Sequence, residues 1–335
     1  MATVAHDTIL NGDAGAPRSR VPGGIAFAVA SSTTFALSGP LARGLLDTGW
    51  TASAVVLIRI ALAALLVLPF GLIALRGRWP LLRRNAGVLV VYGGLAVAGA
   101  QFCYFSAVAH MQVGPALLIE YTAPAAVVVW MWLRHGHRPG PMTLVGAGLA
   151  ALGLVLVLDL ISGAELNVAG VLWALGAMVG AASYFVISAH EDNGLPPMAL
   201  AAGGLVIGGV LLGVLAAVGV LPMRAATIDP SYMGHEIAWW VPLVLLGVVT
   251  AAIAYVTGIA AARRLGSRLA SFVALLEVVA AVVFAWLLLD ELPRAVQLLG
   301  GLFILAGVVA VKLGERQTVV TVTPELPEPR PSVGA

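Results

Sequence analysis

Charged side chains are nearly missing from this sequence. Asp, Glu, Lys and Arg make up 10% of its 335 residues, and 60% are hydrophobic. A soluble domain carries roughly 25% charged residues. A water-facing surface cannot be built over so much apolar area, so a soluble globular fold is excluded and lipid is the expected solvent. Cysteine is equally scarce. Cys103 stands alone, which excludes a disulfide framework and a CxxC metal site. The histidines do not cluster either: His6 is in the N-tail, and His110, His135, His137, His190 and His235 fall at span ends or in loops. No metal and no cofactor is expected. The net charge of +2 is too small to suggest nucleic acid. The first 21 residues lack the apolar run of a secretory signal and hold Asp7, Asp13, Arg18 and Arg20. They are expected to be a disordered tail, as are residues 314–335, rich in Pro and Glu. Lysine is nearly absent beside 17 arginines, a usage that fits a GC-rich bacterial genome.

What is present is apolar sequence in long runs. A helix needs about 20 apolar residues to cross the hydrocarbon layer. Ten such spans are predicted at 23–45, 52–75, 86–110, 113–133, 141–159, 168–189, 197–220, 238–262, 267–289 and 294–313. The connections are short and leave no room for a soluble domain. The expected class is therefore an all-α polytopic membrane protein. With both tails on one side, that side holds 14 of the 18 basic residues, and the other holds Arg43, Arg224 and Arg294. The positive-inside rule then puts both termini in the cytoplasm, across a bacterial cytoplasmic membrane. Arg59 lies within span two.

The chain repeats itself. LVGAGLAALGLVLV at Leu144–Val157 aligns without gaps to LLGGLFILAGVVAV at Leu298–Val311, pairing Gly146 with Gly300 and Gly153 with Gly307. Spans four and nine share AAVV, at Ala125–Val128 and Ala280–Val283. A unit of five spans has an odd count, so the second copy enters the membrane from the opposite side. Inverted repeats are a transporter architecture, with substrate bound near the midplane between the halves. The expected units are 22–160 and 161–313.

Several segments in this order resemble one family. SAVVLIRIALAALLVLP at Ser53–Pro69 looks like its second helix, with Arg59 at the characteristic arginine. AYVTGIAAARRLGS at Ala254–Ser267 looks like its eighth, and LLLDELP at Leu287–Pro293 matches the acidic end of its ninth. The family is the EamA-like branch of the drug/metabolite transporter superfamily, and the resemblance covers Gly23 to Gly314. IEYTAP at Ile119–Pro124 resembles the threonine/homoserine exporters of that branch. Where the family often has Glu-Pro in its ninth helix, Glu277 is followed here by Val278, which leaves that kink without its proline. The resemblance implies export of amino acids or related metabolites.

Ionisable groups inside a bilayer cost about 2.5–3.5 kcal/mol each on insertion scales, so they seldom face lipid. Arg59, Glu120 and Glu277 stand out. Arg59 on span two and Glu120 on span four both fall roughly 11 Å from the outer surface, and Gln101 on span three has similar depth. A polar cavity is expected in which Arg59 takes a carboxylate and Glu120 or Glu277 an amine. The structural alternative is an Arg59–Glu120 ion pair that locks helices together. Tyr104, Tyr121, Tyr184 and Tyr255 could line the path with Thr122 and Ser271. Small and polar residues recur at helical spacing on span three (Gly94, Ala98, Gln101, Tyr104), span six (Trp173, Ala177, Gly180, Tyr184, Ser188) and span nine (Ser267, Ser271, Ala274, Glu277, Ala281). Such stripes are commonly packing faces. Gly176 with Gly180, Gly204 with Gly208, and Gly209 with Gly213 are expected to be close helix contacts. Pro40 and Pro124 are candidate helix kinks that free carbonyls.

Other classes fit less well. ALSGP at Ala36–Pro40 is one residue from the GxSG of intramembrane serine proteases, with Ser38 and His110 as a conceivable dyad. The first glycine is missing, however, and ten spans are too many. A membrane scaffold would need a partner-binding loop, and none is visible. A multidrug exporter is the rival within transport, but span one carries no acid in its apolar core. The expected partners are a small-molecule substrate, lipid and protons; the sequence prescribes no oligomer.

Overall fold

The structure is a computed structural model and describes residues 20–123, 140–158, 167–189 and 194–314. Apolar residues fill whole helical turns, so each helix satisfies its own backbone and can meet lipid. Five described helices are long and apolar enough to cross a membrane: Pro22–Asp47, Ala52–Ala74, Ala86–Val108, Pro197–Ala217 and Trp240–Gly258. Pro141–Val157, Val168–Tyr184, Leu276–Leu289 and Ala295–Val311 are shorter apolar helices. The molecule is an all-α polytopic membrane protein. Span four is described only over its first part, with helix Val113–Glu120. Pro124 and the rest of that span lie outside the described residues.

Spans one, three and eight are interrupted. Span one breaks at Leu37, between helices Arg20–Ala36 and Ser38–Asp47. Pro40 lacks the N–H that would bond the Ala36 carbonyl, which accounts for a break at this place. Span three passes from α-helix Ala86–Val91 through a π-helix, Tyr92–Gly99, to α-helix Ala100–Val108. Span eight does the same: Trp240–Gly247, a π-helix at Val248–Ile253, then helical turns from Ala254 to Val273. These last turns are not one straight rod. Ser31 donates to the Ala254 carbonyl (2.8 Å) and its neighbour Ser32 to the Val273 carbonyl (3.3 Å). A straight helix of that length would hold its ends about 30 Å apart. Gly24 lies against Arg264 and Leu265. The chain therefore turns back beyond Arg264, and spans eight and nine are separate crossings.

The halves meet most closely where spans five and ten cross. A Cβ on Gly146 would meet the Gly307 carbonyl oxygen at 2.6 Å, and one on Gly307 would meet that of Gly146 at 2.6 Å. Gly153 and Gly300 are related in the same way. The glycines that align in sequence are thus exchanged in space. Such reciprocal contact is what a two-fold axis between antiparallel copies requires. Gly176 faces Cys103 and Gly180 faces Ala100, joining spans six and three; Gly204 and Gly208 pack on span three. Of the third GxxxG pair only Gly209 makes the expected contact, against Ile60 of span two. Gly213 has nothing within 4 Å, because this turn of span seven faces outward.

Candidate functional site

Arg59 is the largest fully buried side chain among the described residues, 1% exposed. It has partners on spans three and eight. Nη1 donates to Gln101 Oε1 on span three. Nη2 donates to the Thr250 carbonyl at 2.8 Å. Thr250 sits inside the π-helix of span eight. The guanidinium also lies over the Phe105 ring, 5.3 Å from its centroid. Nε has no acceptor. π-helices are frequent at functional sites, since their wider turns re-aim backbone groups.

Tyr255, on span eight, lies close enough to Gln101 for the two side chains to act on each other. Arg59 and Gln101 belong to the first half and Thr250 to the second, so the Arg59 cluster sits at the junction of the halves. The π-helices of spans three and eight, Tyr92–Gly99 and Val248–Ile253, stand at corresponding places in the two units.

A second cluster flanks the first. The Tyr121 hydroxyl is 2.8 Å from a Glu277 carboxylate oxygen and 3.3 Å from the Ala274 carbonyl. Span nine is interrupted at Ala274–Leu275, just before Glu277, although no proline follows that residue. Span four is interrupted at Tyr121–Thr122. Thr122 donates to the Ile119 carbonyl and lies 3.1 Å from Met178 Sδ. Tyr104 is buried, with its hydroxyl against Gly39 on the second segment of span one. Tyr255 stacks edge-on against Phe35, and Tyr184 packs on Tyr92. Ser271 lies in the helical turns before the break.

Arg59 and Glu120, expected from matched depth to approach within salt-bridge or one-water distance, make no direct ion pair. Gln101 and the Thr250 carbonyl occupy the guanidinium instead. Among the described residues, the Glu120 carboxylate has no hydrogen-bond or ion-pair partner. Glu120 and Glu277 remain close enough to Arg59 for their charges to act on it. The serine-protease dyad is also not assembled: the His110 ring bonds the Ser106 carbonyl at 2.7 Å.

The end of the bundle where span one finishes carries a network that residue-by-residue reading missed. Arg43 on span one donates to the carbonyls of Val108 (2.7 Å) and Met111 (3.3 Å). It pairs with Asp47 at 3.0 Å and lies 3.9 Å from Glu291 after span nine. Glu291 accepts the Val113 N–H at 3.2 Å. Burial raises its carboxyl above the ordinary value, opposed by the Val113 N–H and Arg43. The hairpin Ser231–Tyr232 with His235–Glu236 straps the same end. Tyr232 donates to the Leu41 carbonyl at 2.7 Å, and Met233 N–H to that of Leu288 at 2.9 Å. Burial and the Asp47 charge raise the Tyr232 hydroxyl, which keeps it a donor.

The model of the EamA-like transporter family matches residues 22–159 and again 168–313. The chain belongs to that family. This EamA-like protein is a membrane transporter of the drug/metabolite transporter superfamily, built from two copies of the five-helix unit. No curated protein matches it. A crystal structure described only as that of a protein is similar to it at a TM-score of 0.58 and 20% identity, over 91% of this chain and 100% of that one. At that identity the likeness shows the fold alone.

Proposed function

We propose that this EamA-like chain exports amino acids or related small metabolites by alternating access, from the bacterial cytoplasmic membrane, with both tails in the cytoplasm. One observation carries the reading. Arg59 and Glu120 share the central region, yet make no direct contact with each other. The guanidinium has only neutral acceptors and keeps an Nε–H without one. A zwitterion would satisfy both groups, its carboxylate at Arg59 and its ammonium at Glu120 or Glu277. Tyr104, Tyr121 and Tyr255 would line the path with Gln101, Thr122 and Ser271, and Tyr184 would stand beside it on span six. The IEYTAP segment, similar to that of threonine/homoserine exporters, supports the same substrate class.

A growth screen tests this. Bacteria overexpressing the chain should tolerate toxic levels of amino acids or amino-acid analogues and hold less of them inside. Protection against cationic drugs alone would favour the multidrug reading instead. Glu120 is the candidate proton carrier. Transport by Glu120→Gln with and without an imposed pH gradient decides that role: an unchanged gradient dependence removes it.

A further inference from the structure

Between spans two and three the chain reads RGRWPLLRR, Arg76 to Arg84. Its four arginines, 76, 78, 83 and 84, are all exposed. No ion pair engages any of them among the described residues. No Asp or Glu occurs between Asp47 and Glu120, so the stretch has no acid of its own on either flanking helix. Guanidinium groups left this way beside a bilayer have a natural counter-ion, since both leaflet surfaces can present phosphate.

The backbone holds the four charges at the membrane surface. Span two is apolar through Ala74, and span three begins at Ala86. Gly77, at φ +76°, turns the chain sharply. The short helix Pro80–Arg84 follows, started by Pro80 at its first position. Leu81 and Leu82 pack down onto the buried core, and the Asn85 amide donates to the Leu81 carbonyl at 2.9 Å. Arg83 and Arg84 therefore stay on the outer side of this turn. Trp79 is 51% exposed at its start. An exposed indole at the end of a span is a residue of the headgroup layer, where its ring is apolar and its N–H polar.

We propose that Arg76–Arg84 is a docking site for an anionic phospholipid. The arginines hold the headgroup phosphate through charge-assisted N–H···O bonds, for which the guanidinium fork is well shaped. Trp79 lies against the glycerol and the upper acyl chains. The occupant is a diacyl lipid, because a free phosphate would leave the exposed indole and the apolar end of span two uncovered. The assignment is independent of what the transporter carries and of which leaflet faces the cytoplasm.

Native mass spectrometry of the full chain in detergent tests it, using phosphatidylglycerol and phosphatidylcholine with the same acyl chains. Wild type should retain phosphatidylglycerol preferentially, and rising salt should reduce that preference, as screening requires. A juxtamembrane basic residue contributes roughly a fivefold factor in affinity. Arg83→Gln with Arg84→Gln should lower retention at least tenfold, while phosphatidylcholine retention stays unchanged. The fourfold variant, with Arg76→Gln and Arg78→Gln added, should abolish the preference. Where a variant fails to fold, the salt series on wild type decides. Equal retention of the two lipids by wild type, a preference indifferent to salt, or a folded double variant that binds like wild type would overturn the proposal. Competition by glycerol phosphate as strong as by the diacyl lipid would overturn it in favour of a soluble phosphate site.

Discussion

Arg59 shows how a buried charge is managed without a counter-ion in contact. Two neutral oxygens, from Gln101 and the Thr250 backbone, take the hydrogen bonds, and two acids act from farther off. This separates two roles that a direct ion pair would merge. Replacing Gln101 by Leu strips Nη1 of its acceptor, and leaving such a group unsatisfied costs about 1–3 kcal/mol. Melting of the purified protein should show that loss. Gln101→Glu is the sharper variant, because it supplies a carboxylate in contact. If Arg59 holds the substrate carboxylate, Gln101→Glu should melt no lower than wild type and transport nothing. Transport at the wild-type rate would remove Arg59 from substrate recognition. The sequence made Arg59 and Gln101 legible as neighbours, since polar residues in apolar runs are conspicuous and depth follows from counting. It could not reveal the Thr250 carbonyl. Backbone acceptors have no letter of their own, and YGGLAVAG and VVTAAI read as ordinary helix.

At the scale of the element, the crossing of spans five and ten fixes the halves against each other. Carbonyl oxygens and amide nitrogens approach each glycine there, and backbone cannot move aside as a flexible side chain can. Gly146→Ala should therefore cost about 1–3 kcal/mol. Gly148, on the same helix with nothing within 4 Å, is the control. Gly148→Ala should be neutral or stabilising by up to ~1 kcal/mol, because alanine is the better helix former. Equal effects of the two substitutions in thermal melts would show that the crossing is not close-packed. The network around Arg43 gives a second expectation. Arg43 ties span one to the turn before span four and to Glu291, so Arg43→Gln should let these elements part. Spin labels at Thr48 and Asp290, in a Cys103→Ser background, should report a longer or broader distance in the variant. An unchanged distribution would mean that the hairpin alone closes this end. The glycine spacing announced the first of these features. Arg43 and Glu291 gave no such signal, being more than 200 residues apart in sequence and unremarkable at span ends.

At the scale of the whole molecule, the repeat follows from the pattern of spans, and its contacts agree with an inverted pair. Spans eight and nine illustrate what sequence does well. Arg263, Arg264 and Arg268 mark a membrane boundary inside a stretch whose backbone stays helical, and the two serines of span one confirm the reversal. Irregularities without charge or proline were not legible, such as the break at Ala274–Leu275 and the two π-helices. Both tails are expected in the cytoplasm on the strength of 14 basic residues against 3. Phosphatase and fluorescent-protein fusions at each terminus check this directly: a phosphatase-active, non-fluorescent fusion at either end would reverse the topology.

The matched π-helices bear on history as well as mechanism. A π-turn is rare, and here one occupies the corresponding stretch of each half, Tyr92–Gly99 and Val248–Ile253. Independent origin at the same place in both copies requires the same uncommon event twice, whereas inheritance requires it once. On that count the irregularity is older than the doubling of the gene. The ancestral five-helix chain then already carried it, and two such chains inserted in opposite senses would have set a pair of these turns face to face. Joining them in one polypeptide freed the copies to diverge, so that the buried arginine of span two meets the backbone of the second copy's π-helix.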